Sequence, residues 1–360
     1  MPPAHAPHIV PRDIEVIAPN FKKRLSGVTA TVVRLVPLQA QSIGIVATGP
    51  VLPPQVPQIP LASLPWLSRR GPGPGGWRVW HARRNVEMIG GLALRYLLGK
   101  RLKLLFTSAS QRKQTGLTRW LIRRMDAVIA TSEKTAAYLE GPSTVVMHGI
   151  DTAGFAPPED RSALRAKLGI SDAGPVIGCY GRIRAQKGTD VYVDAMTDLL
   201  QKHQTATALV MGRATDSHRD FDAGLRAKAN AAGLADRLRF MPEVPTEDMA
   251  DWYRILDLYI APQRWEGFGL TPIEAMACGC PVVATRVGAF EALVAEGETG
   301  ILVDAGDAEG MRAAADAILS DPEKLSVWSR NARSRAVTEF SIEKEAATLV
   351  GIYRDLLGAS

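Results

Sequence analysis

Two carboxylates and two cations carry the chemistry this chain offers. Glu266 and Glu274 bracket a glycine-rich turn in EGFGLTPIEAMACGCPVVAT, which runs from Glu266 to Thr285. With the residues before it, LYIAPQRWEGFGLTPIEAMACG reads strand, loop, helix. Thr271 suits an N-cap, Pro272 the first helical position, and Glu274 falls three residues after Thr271, which spells a Thr-x-x-Glu capping box. Gly267 and Gly269 let backbone approach a ligand closely. The amides of Gly269, Leu270 and Thr271 would then face outward at the positive end of a helix dipole, a place that binds phosphate. Taken alone, Glu274 reads first as a capping residue and second as a ligand contact, and Glu266 could be a solvated loop charge.

A second motif changes the weighing. In YGRIRAQKGTDVYVDAM (Tyr180–Met196), Arg182 follows an apolar strand and Lys187 stands five residues on, just before Gly188 and a helix. A guanidinium fork and a compact ammonium on one strand-to-helix turn suit a diphosphate. By itself the pair also reads as surface loop charge. No G-x-G-x-x-G opens a helix after a strand, and no P-loop is present. No Asp-x-Asp pair sits at a strand end, so no metal is expected. Cys179, Cys278 and Cys280 are odd in number, and Cys-x-Cys is poor zinc spacing; buried free thiols are the expectation.

The elements that must position these groups form two series. Ile14–Pro19, Ile43–Thr48, Trp77–Trp80, Lys103–Thr107, Asp126–Thr131 and Thr144–His148 read as short apolar strands with helical patterns between most of them. Gly149–Ser162 is a break rich in turn formers. The pattern then restarts at Pro175–Gly181, Thr207–Gly212, Arg237–Met241, Leu258–Pro262, Pro281–Thr285 and Gly300–Val303, and Ile342–Leu357 closes the chain as an amphipathic helix. Continuous apolar strands alternating with helices predict parallel sheets covered on both faces. The fold class is therefore α/β with two doubly wound, Rossmann-like domains. The expected divisions are residues 1–152, 153–338 and a terminal helix over 339–360. Ligands of such sheets bind at the carboxyl ends of the strands, so a cleft between the domains is the expected site.

The 360 residues are 46% hydrophobic, which suits a globular protein of about two domains. No apolar run reaches bilayer-spanning length, since Arg34 interrupts Val28–Gln39, and the N-terminus does not resemble a signal peptide, so a cytoplasmic location is expected. Charge is divided unevenly. Residues 1–150 hold 20 Lys and Arg against 6 Asp and Glu, a net of +14, while the remainder is net −8. The first half should attract an anionic partner: nucleic acid, anionic lipid or acidic glycan.

Together these motifs resemble the donor domain of the retaining family 4 glycosyltransferases, which have the GT-B fold. Glu266 and Glu274 match the family's Glu-x7-Glu, GRIRAQKG matches its Gly-Arg-x-x-x-x-Lys-Gly, and GAFEALVAEGETGILVDAGD (Gly288–Asp307) matches the segment that follows. In the first half, EVIAPNFKKRLSGVTATVVRLVPLQ, RVWHARRNVEM, TSASQRKQTGLTRWLIRRMDAVIATS and VVMHGID resemble the lipopolysaccharide core mannosyltransferases of alphaproteobacteria.

The resemblance implies a donor nucleotide sugar, GDP-mannose, and the anionic Kdo-bearing inner core of lipopolysaccharide as acceptor, with no metal and no other cofactor. It implies that Arg182 and Lys187 bind the diphosphate, that Glu274 holds the ribose, and that Glu266 meets the hexose. Phe268, Gly269, Leu270 and Thr271 would bind diphosphate and sugar through their amides, Val244 would lie near the base, and Gly27 would belong to a glycine loop (Arg24–Thr29) facing the donor. Lys22, Lys23, Arg24, Arg83, Arg84, Arg112 and Lys113 are the candidate acceptor contacts. The terminal helix would cross back onto the first domain, and the enzyme would work at the cytoplasmic face of the inner membrane. In one respect the chain departs from the family: Thr107 and Ser108 stand where many relatives carry a histidine. His81, at the end of the preceding strand, then reads either as the sugar-facing catalytic group or as a packing histidine. The rival readings are a glucosyl- or galactosyltransferase, a non-catalytic sugar-nucleotide sensor, and a basic nucleic-acid-binding protein. Against the last, the sequence shows no aromatic-interleaved RNA platform and no helix-turn-helix.

Overall fold

The computed structural model describes residues 11–23 and 27–358. It divides into two compact units, one reaching to His148 and resuming at Ile342, the other spanning Gly149–Ser341.

The first unit holds strands β1 (Val16–Pro19), β2 (Ile45–Thr48), β3 (Arg78–Ala82), β4 (Leu102–Ser108), β5 (Ala127–Ala130) and β6 (Thr144–Val145). They form one sheet in the order β2-β1-β3-β4-β5-β6, every pairing parallel. The expected strand Thr144–His148 is cut to two residues. Val146 still donates its amide to the Ala130 carbonyl at 2.9 Å, after which the chain leaves the sheet edge and His148 Nδ1 lies 2.9 Å from Glu345 Oε1. The helix Gly27–Gln39 buries Thr29, Val32, Leu35 and Val36, a spacing of three and four that makes one apolar stripe. The helix Ile342–Leu357 does the same with Ile342, Ala346, Leu349, Val350, Tyr353 and Leu357, and both stripes close on β1, β2 and β3 in one core.

The second unit holds β7 (Val176–Tyr180), β8 (Thr207–Met211), β9 (Leu238–Met241), β10 (Leu258–Ala261), β11 (Val282–Thr285) and β12 (Gly300–Val303). Their order is β12-β11-β10-β7-β8-β9, again parallel throughout. All four residues of β10 and of β11, and all five of β7, are buried, as expected for strands covered on both faces. Cys179, Cys278 and Cys280 are free and buried, and burial pushes the Cys179 and Cys278 thiols up to about 12.

In each sheet the strand order reverses once. The second reverses between β7 and β10, the first between β1 and β3. A reversal leaves the two loops at adjacent carboxyl ends pointing away from each other, and the crevice so formed is where such sheets bind ligands.

Candidate active site

Both motifs singled out in the second half arrive at the β7/β10 reversal. The loop after β7 carries Arg182 and ends in Lys187; the loop after β10 carries Glu266. The Lys187 ammonium forms an ion pair with Glu266 Oε2, both side chains being about four-fifths buried. Two residues 79 apart in sequence thus become direct partners because β7 and β10 are neighbours. Arg182 is exposed, two residues past the end of β7.

Three devices fix these loops. Gly188 has φ +69°, and a Cβ there would lie 1.8 Å from the Pro262 carbonyl oxygen, so the backbone of the Lys187 turn lies directly against the start of the Glu266 loop. Arg264 forks onto Asp190, with Nη1 and Nη2 donating at 2.7 and 2.8 Å, and Nη1 also donates to the Ala185 carbonyl. Thr285, at the end of β11, donates its hydroxyl to the Gln263 carbonyl at 2.6 Å. The strand after the glycine turn is therefore the anchor of the loop before it. Gly269 has φ +88°, and a Cβ there would lie 2.3 Å from the Phe290 ring and 2.9 Å from Glu266 Cγ. Only glycine lets Phe268–Thr271 pass this close to the Glu266 side chain.

The capping box does not form. The helix begins at Thr271 itself, and its cap is Leu270, with helical φ and ψ and no side-chain cap hydrogen bond. Thr271 is drawn one position into the helix. Tyr253 donates its hydroxyl to Glu274 Oε2 at 2.9 Å. Tyr253 is fully buried with Tyr180 and Tyr259, ring centroids 5.0 and 5.6 Å away. Burial raises the pKa of all three phenols, so they remain neutral donors. Sequence reading missed Tyr253, Arg264 and Asp190. Tyr253 lies on the helix Met249–Arg254 and Asp190 in a different helix, and no local pattern links either to its partner. Val244 lies in the segment leaving β9, half-buried, two strands from the reversal at the same carboxyl edge.

In the first unit the β1/β3 reversal gathers a polar network. Asn20 Oδ1, just after β1, accepts from the Thr29 hydroxyl at 3.0 Å and from Arg84 Nη1 at 2.9 Å. Arg84 also pairs with Glu87 at 2.6 Å, and Glu87 is fully buried. Arg84, a candidate acceptor contact, thus links the loops after β1 and β3 in this structure. Arg83 points inward too, its Nη1 donating to the His81 carbonyl at 3.2 Å.

His81 packs within the first unit in this structure. Its ring is buried, with Nδ1 2.7 Å from the Tyr353 hydroxyl and Nε2 2.7 Å from the Thr107 hydroxyl. Thr107 is the residue that engages the second nitrogen. Both nitrogens are engaged within the unit in this structure. Burial, and then the Arg83 charge, hold its pKa well below the ordinary histidine value, so it is neutral.

Lys22, Lys23, Arg112 and Lys113 are exposed. Gly27 is the first residue of its helix, exposed, with open space around its Cα. Arg24 lies outside the described residues. Among the described residues, no group of three or more His, Cys, Asp and Glu could hold a metal ion, and no helix is long and apolar enough to cross a membrane.

Comparison with known proteins agrees with this geometry. The family described as glycosyl transferases group 1 matches residues 160–335. Anabaena HepE, crystallised in complex with UDP, superposes with a TM-score of 0.81 at 18% identity over 95% of this chain and 100% of that one. A glycosyltransferase from Rickettsia africae ESF-5 gives 0.80 at 18% identity, covering 96% and 99%. The fold is that of the GT-B glycosyltransferases. Over 350 residues, 96% of this chain and 99% of the relative, the sequence is 51% identical to the lipopolysaccharide core biosynthesis mannosyltransferase LpsB of Rhizobium meliloti (strain 1021). It is 49% identical to the corresponding LpcC of Rhizobium leguminosarum bv. viciae over 96% and 98% of the two chains. The chain belongs to the group 1 glycosyl transferases.

Proposed function

We propose that the protein transfers mannose from GDP-mannose to the Kdo-containing inner core of lipopolysaccharide, with retention at the anomeric carbon and without a divalent metal, at the cytoplasmic face of the inner membrane. The observation that carries this reading is the near full-length identity to two lipopolysaccharide core mannosyltransferases. The site supports its chemical part. The donor diphosphate would lie between Arg182 and Lys187, and the ammonium now paired with Glu266 would turn to the phosphate. Glu266, held from behind by the Gly267 amide at 3.1 Å, would then meet the hexose, and Glu274, gripped by Tyr253, the ribose. As the acceptor oxygen bonds to the anomeric carbon, the bond to the β-phosphate breaks and that phosphate takes the acceptor's proton. The two cations stabilise the charge of the departing diphosphate, and the loops position the reactants. A glutamate nucleophile as in retaining glycosidases is not invoked, since Glu266 already has a binding task.

The test is transfer of mannose from GDP-mannose to Kdo-bearing lipid A by the purified protein in EDTA, analysed for anomeric configuration. Activity that survives chelation, retains configuration and disappears in Glu266→Ala is expected. Turnover with a glucosyl or galactosyl donor instead would overturn the mannose assignment, and loss of activity in EDTA the metal-free mechanism. No binding of any sugar nucleotide would return the basic half to the nucleic-acid reading.

A further inference from the structure

The helix Asn85–Tyr96 is apolar on its outer side as well as on the side that packs into the core. Its buried side carries Glu87, Met88, Gly91 and Leu92. Its outer side carries Val86, Ile89, Gly90, Ala93 and, past its end, Leu97, with Val86, Ile89 and Leu97 at 53, 47 and 82% exposure. Solvent-facing stripes of surface helices are normally polar. Here the outer stripe holds no charge.

The stripe is the centre of a larger apolar surface within the first unit. At one end Leu97 and Leu98 line a groove of about 350 Å³ with Phe21 and Leu61, and Trp66, in the same segment as Leu61, is 88% exposed. At the other end Asn85 Nδ2 donates to the Thr118 hydroxyl at 2.8 Å, which joins this helix to Gly116–Ile122, where Leu117 and Trp120 are exposed. Of the thirteen exposed large hydrophobic side chains among the described residues, ten lie between Leu61 and Tyr138. An apolar surface so concentrated marks an interaction site.

Charge says what covers it. Residues 61–125 contain fourteen Lys and Arg, of which Arg69, Arg70, Arg112, Lys113, Arg119, Arg123 and Arg124 are exposed, and a single carboxylate, Glu87, which is fully buried beneath the stripe. Asp126 and Glu140, just beyond, pair with Arg95, Arg119 and Arg123. Arg124 lies over the Trp120 ring at 3.6 Å, so the indole and the guanidinium share one exposed position. Apolar residues along a helix, tryptophans at its borders and an almost acid-free basic surround are the requirements of a surface that settles into an anionic bilayer.

We propose that the face formed by helices Asn85–Tyr96 and Gly116–Ile122 docks onto an anionic lipid bilayer, its apolar stripe entering the headgroup region and the flanking arginines and lysines lying against the phosphates. This rests on the reading that the enzyme works at a membrane, and it names the surface used.

The test measures co-sedimentation of the full chain with vesicles of phosphatidylcholine containing phosphatidylglycerol. Wild-type protein is expected to bind these, to bind pure phosphatidylcholine poorly, and to be released by salt. Ile89→Glu and Leu97→Glu, both outside the donor site, are expected to lower vesicle affinity at least tenfold while melting temperature and affinity for the sugar nucleotide stay unchanged. In a second measurement an environment-sensitive dye is attached to Leu97→Cys, the three native cysteines being buried. Its emission should shift to the blue on anionic vesicles. Wild-type binding that both glutamate variants retain, with no dye shift, would overturn the docking face and leave the membrane reading intact. No wild-type binding would overturn both, and would leave mannosyl transfer in solution to be judged by its own assay. Self-association abolished by Ile89→Glu, without vesicle binding, would assign the face to a second copy of the chain.

Discussion

Replacing Gly188 by alanine should damage catalysis far more than folding. Gly188 closes the turn that carries Arg182 and Lys187, and Pro262 opens the loop that carries Glu266. Two costs can be separated. At φ +69° an alanine pays about 1–2 kcal/mol for the left-handed conformation wherever it stands. At Gly188 the new Cβ would also lie 1.8 Å from the Pro262 carbonyl oxygen and 2.5 Å from its carbon. Both atoms are backbone, so neither can swing aside as a side chain would. The two loops must part by roughly 1 Å or more, and a misplacement of that size in a catalytic constellation costs about 100-fold in rate, or about 2.7 kcal/mol of barrier. Gly169 supplies the control: its φ is +67°, and an added Cβ would meet nothing within 4 Å. Gly169→Ala should show only the conformational cost, a lower melting temperature with transfer near wild type. Gly188→Ala should show a similar or modestly larger loss of stability and about a 100-fold loss of kcat/KM for mannosyl transfer. The assay is kcat/KM beside thermal denaturation for both variants. Equal kcat/KM in the two would refute the claim that contact between the loops sets the site.

Tyr253→Phe removes a buried hydroxyl that donates to the Glu274 carboxylate. Hydrogen bonds to charged groups are worth about 1.5–3 kcal/mol, so the donor KM should rise about tenfold or more while kcat changes less. A nucleotide lacking both ribose hydroxyls should bind wild type and variant alike; equal losses for both nucleotides would mean that Tyr253 acts on folding, not on the ribose contact. His81 should make stability pH-dependent. Burial depresses its pKa in the folded state, so below about 6.5 the unfolded chain binds a proton that the folded chain refuses. Stability is complete above that pH and should fall as pH drops below it, by at most about 1.4 kcal/mol per pH unit until the folded-state pKa is reached. Urea unfolding between pH 5 and 7 should give a flatter slope for His81→Gln than for wild type, and equal slopes would show that His81 is not the group responsible.

The parallel α/β organisation was legible residue by residue. Short apolar strands such as Val176–Tyr180 and Val282–Thr285 announce burial on both faces, and the terminal helix Ile342–Leu357 lies where its periodicity put it. The glycine turns and the charged residues after β7 and β10 were legible as chemistry. The capping box was misread because a Thr-x-x-Glu spacing says nothing of where the helix starts: it starts at Thr271, and the Glu274 carboxylate accepts from the buried Tyr253, 21 residues away. His81 was undecidable from its neighbours in sequence, because the groups that engage it, Thr107 and Tyr353, are 26 and 272 residues away.

By itself, then, the sequence determined which elements form and which side chains stand at strand ends, since both follow from local periodicity and from residues that only certain backbone conformations accept. Tertiary structure alone decided which strand ends are adjacent. That decision pairs Lys187 with Glu266, forks Arg264 onto Asp190 and seats Gly188 on Pro262. It also leaves the helix Asn85–Tyr96 with its apolar stripe outward. Strand order is chosen by the packing of whole layers, and no pattern within a few residues records it.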